Sequence, residues 1–443
     1  MRIIHARFAI KRIEGGHYCS FPPRSDIDGL TMSSKCGFVA VLALLGLGLS
    51  LAQKQAPVLR DPPTKVLYRA GKPFELDCAV DSGDSSEITS YQWFRYAKKV
   101  DPKAAEQSGS RLIFKAPQNT DAGDYQCQAT SSAGVASTKL ISVSEAFLLD
   151  PQVSTKRVKP VEGKPFKLDC NVPSGHPKPT IEWKKQSVSD SSKSETILDG
   201  RITISDNGDL YFTNATQEDV STDFKYVCVA TTPAVDGEVI LAEHIVEGLE
   251  KNPKPDHEVT QLYVTPNDAT AIVGEKTFLY CIYGSSPQAY PDWYKDGVNV
   301  NNKPEDRVTR HNRSKGKRLL IKETLLEDEG QYTCVINNEL GKPENYSFHL
   351  NVVSVPEFVK KPEKRVQAKE GDDLFLPCEV KAKPAAAPVW TLNAKPVAGS
   401  RRVVFSDKGL TINKVQKGDG GYYGCNATNI IGGDYVESYV QVV

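Results

Sequence analysis

The sequence predicts an all-β protein made of four tandem β-sandwiches. Three observations carry that reading: a cysteine pair that returns four times, a tryptophan at a fixed place inside each pair, and alternating apolar residues with no sustained helical period. At 443 residues the chain is too long for one ordinary core, so several domains are expected. A quarter of the residues are charged and 8% are aromatic, the composition of a folded soluble chain. Formal net charge is zero, which argues against bulk binding to nucleic acid or a membrane surface. Any electrostatic function has to be local.

The first element is "CGFVAVLALLGLGLSLA", Cys36 to Ala52, preceded by Met32 and Lys35 and ending in small residues. It reads as a signal peptide that starts at Met32 and is cleaved after Ala52, with the residues before Met32 an upstream extension or a misplaced start. The run is shorter than the ~20 residues a membrane span needs. Setting aside residues 1–52 leaves 49 basic against 52 acidic residues, so the mature chain stays near neutral. The chain stops at "ESYVQVV" with no apolar tail for a span or a lipid-anchor signal, and a freely secreted, extracellular protein is the expectation.

Cys19 and Cys36 fall in that leader, and the other eight cysteines sort into successive pairs: Cys78 with Cys127, Cys170 with Cys228, Cys281 with Cys334, and Cys378 with Cys425. An even count in a secreted chain favours disulfides over zinc or redox sites. Trp93, Trp183, Trp293 and Trp390 follow the first cysteine of each pair by a dozen to fifteen positions. Before each first cysteine, apolar residues alternate as in a half-buried strand: Phe74/Leu76, Phe166/Leu168, Leu374/Leu376 and, more weakly, Thr277/Leu279. A second alternating pair recurs at Leu112/Phe114, Leu210/Phe212, Leu319/Ile321 and Leu410/Ile412.

The phrase before each second cysteine looks at first like chemistry: "DAGDYQC" (121–127), "DEGQYTC" (328–334) and "DGGYYGC" (419–425). A cysteine, a tryptophan about a dozen residues on, and a tyrosine two before a second cysteine is the immunoglobulin signature, in which one disulfide ties two sheets and the indole packs on it. Tyr125, Tyr226, Tyr332 and Tyr423 take the corner position, where the ring is buried and the hydroxyl turns back to the backbone. In that family the aspartate and glycine shape the corner, so the carboxylate reads as structural and not catalytic. The second copy departs, reading "TDFKYVC" with Thr222 and Phe224 where aspartate and glycine would stand, and its corner is expected to be held differently.

The expected domains are 53–146, 147–247, 257–354 and 355–443, with 248–256 as linker. Joints one–two and three–four run strand to strand with almost no spacer and should be stiff. The ten residues from Glu247 to Asp256, charged and proline-rich, extend to at most about 35 Å, against roughly 20 Å for a sandwich four strands wide. Domains one and two can therefore double back beside four and three, or the chain can remain an extended string.

Four such I-set domains behind a signal peptide, with short joints flanking one longer central linker, resemble the hemolin family, secreted immune proteins of insect haemolymph. The resemblance covers essentially all of 53–443. It implies a horseshoe of four domains, binding to bacterial lipopolysaccharide and lipoteichoic acid and to haemocyte surface proteins, modulation of cell adhesion, and some self-association. The rival function is homophilic or heterophilic cell adhesion of the neural immunoglobulin type, without a pathogen ligand.

The densest charge is "RVTRHNRSKGKR", which holds Arg307, Arg310, Arg313, Lys315, Lys317 and Arg318 with no acid. Arginine grips phosphate bidentately and lysine acts as a mobile point charge, so this is the candidate site for the phosphorylated sugars of lipopolysaccharide. The same stretch also reads as a solvated hairpin with Gly316 at its turn. Lys360, Lys361, Lys364 and Arg365 form a smaller cluster, interrupted by Glu363. Glycosylation sequons stand at Asn214, Asn312, Asn345 and Asn426. No nucleophile elbow, P-loop or H-E-x-x-H motif is present, and His176, His244, His257, His311 and His349 show no ligand spacing. No enzyme, metal site or cofactor is expected.

Overall fold

A computed structural model of the chain describes residues 55–83, 85–197, 199–254, 256–301 and 307–443. The signal peptide, its cleavage after Ala52 and the extension before Met32 lie outside the described residues. Among the described residues the regular structure is β-strand, with short 3-10 turns between strands.

One strand plan is used four times. In the first domain, Phe74–Asp77, Arg111–Phe114 and Glu106–Ser108 form one sheet. Lys65–Tyr68, Ile141–Glu145, Gly123–Ser131, Ile88–Arg95 and Lys98–Lys99 form the other, in that order. Among the described residues each domain has one parallel strand pair in an otherwise antiparallel sandwich, joining an early strand to its last: Lys65–Tyr68 with Ile141–Glu145, Thr155–Val158 with Glu238–Val246, Thr270–Ile272 with Glu344–Lys360, and Arg365–Ala368 with Gly433–Val442. The strand period of two puts the apolar set inward: Gly123–Ser131 alternates buried and half-buried at every position.

Disulfides connect Cys78 to Cys127, Cys170 to Cys228, Cys281 to Cys334 and Cys378 to Cys425. Each tryptophan stands directly across from the second cysteine of its pair: Trp93 from Cys127, Trp183 from Cys228, Trp293 from Cys334, Trp390 from Cys425. The indole N–H groups of Trp93, Trp183 and Trp293 donate to Ser110, Gly208 and Gly316 oxygens at 3.0, 2.8 and 2.8 Å, which satisfies the one polar atom each ring buries.

Domains three and four share a 17-residue strand, Glu344–Lys360, which leaves one sandwich and enters the next without a break. Between domains two and three, the linker is pinned at its start, where the Glu250 oxygen accepts the Glu162 N–H and the Glu250 N–H donates to the Pro160 oxygen, both at 2.9 Å. The chain then doubles back, so that domain one lies against four and domain two against three: a horseshoe.

Candidate functional site

The repeated aspartate phrase builds a corner. A 3-10 turn ends on the aspartate in each domain: Asn119–Asp121, Gln217–Asp219, Leu326–Asp328 and Lys417–Asp419. Each carboxylate accepts the backbone N–H three residues earlier, from Gln118, Thr216, Leu325 and Gln416, at 2.7–2.8 Å. Its backbone oxygen accepts the corner hydroxyl: Tyr125, Tyr226, Tyr332 and Tyr423 donate to Asp121, Asp219, Asp328 and Asp419 at 2.7, 3.2, 3.0 and 2.8 Å. Burial pushes the Tyr125 and Tyr423 hydroxyls up to about 12 and raises those of Tyr226 and Tyr332 as well, so all four remain donors. In the second domain Asp219 does this from seven positions before its tyrosine instead of four, which is how a phrase lacking the usual aspartate still closes.

An arginine completes three of the corners, a partner that motif reading passed over. Arg201, Arg307 and Arg402 each place two nitrogens on Asp219, Asp328 and Asp419. The signal was an arginine opening the strand before the second apolar pair. Arg307 is thus taken out of the basic run and into the domain core.

The rest of that run divides by environment. Lys317 is fully buried and points across to domain two, where its Nζ donates to the Gly200 oxygen at 2.5 Å. Gln288 donates to the same oxygen and to Thr213 Oγ1, both at 3.2 Å. Tyr211 of domain two packs with Tyr263, Tyr280 and Ile282 of domain three in a shared apolar cluster. Arg318 is half-buried, lies 4.9 Å from the Phe278 ring centroid, and reaches His311 Nδ1 at 3.3 Å. Burial and the neighbouring Arg318, Arg313 and Lys276 push the His311 imidazole down to about 4, so it accepts as the neutral form and adds no charge at neutral pH. Arg310 is half-buried, 3.9 Å from Asp292. Arg313 and Lys315 are exposed at the tip, with Lys276, 4.8 Å from the Phe278 ring, exposed beside them.

The smaller cluster also serves the fold. Lys364 binds Asp81 at 2.6 Å, and Arg365 donates to Ser82 Oγ at 3.0 Å and to the Ala56 oxygen at 2.8 Å, all in domain one. Tyr422 enters the domain-one core and donates to the Pro57 oxygen at 2.6 Å. Asn393 accepts from Val135 at 3.2 Å, and Lys139 pairs with Asp434 at 2.7 Å.

Of the sequons, Asn312 and Asn345 are exposed, while Asn214 and Asn426 are half-buried. His244 is buried, with Nε2 2.8 Å from the Asp169 oxygen, and burial holds its pKa below the ordinary value. Among the described residues no group of His, Cys, Asp and Glu could hold a metal ion, and no helix is long and apolar enough to cross a membrane.

Disulfide-tied sandwiches with tyrosine corners define a protein of the immunoglobulin superfamily. The immunoglobulin I-set domain model matches residues 260–352 and 356–442, and a general immunoglobulin domain model matches 56–131 and 150–232. The chain is 48% identical to hemolin of Manduca sexta over 91% of its own length and 98% of that protein's. It is 33% identical to neuroglian of Drosophila melanogaster, over 91% of this chain and 32% of that one. A crystal structure of the insect immune protein hemolin, described as a new domain arrangement with implications for homophilic adhesion, superposes with TM-score 0.82 at 44% identity, covering 87% of this chain and all of that one. The chain belongs to the hemolin family. It is an immunoglobulin-type immune and adhesion protein and not an enzyme.

Proposed function

We propose that the protein is secreted into haemolymph, after cleavage following Ala52, and recognises anionic components of the bacterial envelope, lipopolysaccharide and lipoteichoic acid, as well as haemocyte surfaces. The observation that carries this reading is the cationic tip of domain three: Arg313 and Lys315 are exposed, Lys276 joins them from just before the strand Thr277–Gly284, and Arg310 and Arg318 stand behind. An exposed guanidinium beside exposed ammonium groups, one of them over the Phe278 ring, suits a phosphorylated sugar. Lys317 and Arg307 are outside this contact because each is bonded within the protein. A glycan at Asn312, next to Arg313, would screen the tip in part.

Replacing Arg313, Lys315 and Lys276 together with glutamine is expected to weaken capture on immobilised lipopolysaccharide and to flatten its salt dependence, with melting unchanged. Unaltered affinity and salt response would place the contact elsewhere. The adhesion reading rests on the likeness to neuroglian and to a hemolin described with implications for homophilic adhesion. Aggregation of beads coated with the protein alone tests it separately.

A further inference from the structure

Each seam of the horseshoe holds an amine or carboxyl side chain that bonds the backbone of the opposite domain, with no opposite charge bonded to it. In the seam between domains two and three this is Lys317, whose Nζ meets the Gly200 oxygen at 2.5 Å, the Ser314 oxygen at 3.4 Å and the Tyr290 ring at 5.1 Å from its centroid. The charged groups facing it are Asp199, Arg201, Arg310 and Lys315. Asp199, the only acid, is held by Arg201 at 2.5 Å.

In the seam between domains one and four the residue is Glu437. Both its oxygens accept the Ser137 N–H, at 2.9 and 3.0 Å, and one accepts the Tyr435 hydroxyl at 2.7 Å. Glu437 is half-buried and borders a crevice of about 40 Å³ whose wall includes Arg60, Asp61, Tyr422 and Tyr439. Of the nearby cations, Lys139 is engaged with Asp434, Lys364 with Asp81, and Arg365 with Ser82 and Ala56, while Arg60 in the crevice wall is exposed and makes no bond to Glu437.

An enclosed ion without a counterion is costly, so each seam favours the neutral form of its own residue. We propose that the horseshoe carries two proton-operated latches of opposite sense, Lys317 between domains two and three and Glu437 between domains one and four, so that acid tightens one seam and base tightens the other. Burial brings the Lys317 ammonium down to about 7 from 10.5 and the Glu437 carboxyl up to about 8 from 4.5. The closed one–four seam keeps a proton that the open seam loses between pH 4.5 and 8, so raising pH through that window drives it open, and beyond 8 there is no further effect. The closed two–three seam lacks a proton that the open seam carries between pH 7 and 10.5, so lowering pH through that window drives it open, and below 7 there is no further effect.

Hydrogen exchange on the full mature chain, corrected for intrinsic rates and followed from pH 6 to 9, reads both seams through peptides spanning 134–139 and 314–318. Opening at 134–139 should rise with pH, by up to about tenfold per unit, and level off near 8. Opening at 314–318 should be level to pH 7 and then fall with a similar slope. Glu437→Gln should flatten only the first profile and Lys317→Met only the second. Wild-type seams that respond alike or not at all, or a variant that keeps the wild-type profile at its own seam, overturn the proposal. If a variant fails to fold, the opposite slopes of the wild-type protein decide alone.

Discussion

Asp121, Asp219, Asp328 and Asp419 show what becomes of a carboxylate that reads as chemistry when it sits in a β-sandwich: it caps a turn and fixes a tyrosine. Their surroundings grade their importance. Asp328 is buried beneath two Arg307 nitrogens, whereas among the described residues Asp121 has the turn cap and no arginine partner. Asp328→Ala removes the buried carboxylate that holds Arg307 and should cost the third domain about 2 kcal/mol, while Asp121→Ala should cost the first about 1 kcal/mol, the value of a cap. Thermal unfolding of the two variants checks the ratio, and equal losses would mean that the arginine adds nothing. Asp121, Asp328 and Asp419 were legible because the phrase repeats; Asp219, seven positions before its tyrosine, was not. The arginines were less so, because they stand some twenty positions upstream and each appears alone.

At the scale of elements, the strand holding the second cysteine of each pair is the centre of its sandwich, pairing on one side with the tryptophan strand and on the other with the last strand of the domain. Each disulfide closes a loop of about fifty residues, worth roughly 4 kcal/mol in the chain-entropy model, which is comparable with the net stability of a domain. Cys281→Ala paired with Cys334→Ala should therefore unfold or severely weaken the third domain. Secretion yield and melting measure this, and normal values for both would contradict it. The shared strand Glu344–Lys360 makes the joint between domains three and four part of the sheets themselves, and Lys383 of domain four pairs with Glu329 of domain three beside it.

At the scale of the whole molecule, the seam between domains one and four is polar and closely fitted, so small changes in shape should open it. A Cβ on Gly134 would come within 2.1 Å of the Asn393 side chain across the seam, and the residue holds φ +129°. Gly134→Val should raise the radius of gyration in solution scattering while leaving the disulfides and the other three domains intact. An unchanged radius would show that the seam yields without parting.

The same contrast separates what could be read from what had to be seen. Strand period, cysteine, tryptophan and tyrosine spacing determined the all-β class and the four sandwiches, because burying an apolar face leaves a local, repeating pattern in the chain. The basic run at 307–318 was visible as charge, but not as what the fold makes of it: one arginine in a corner, one lysine in a seam, and a tip left in solvent. Those assignments, and the closure itself, rest on partners such as Val135 with Asn393 and Arg365 with Ala56, separated by 258 and 309 positions. Contacts between already folded surfaces at such distances impose no period on the sequence, so only the tertiary structure decides them.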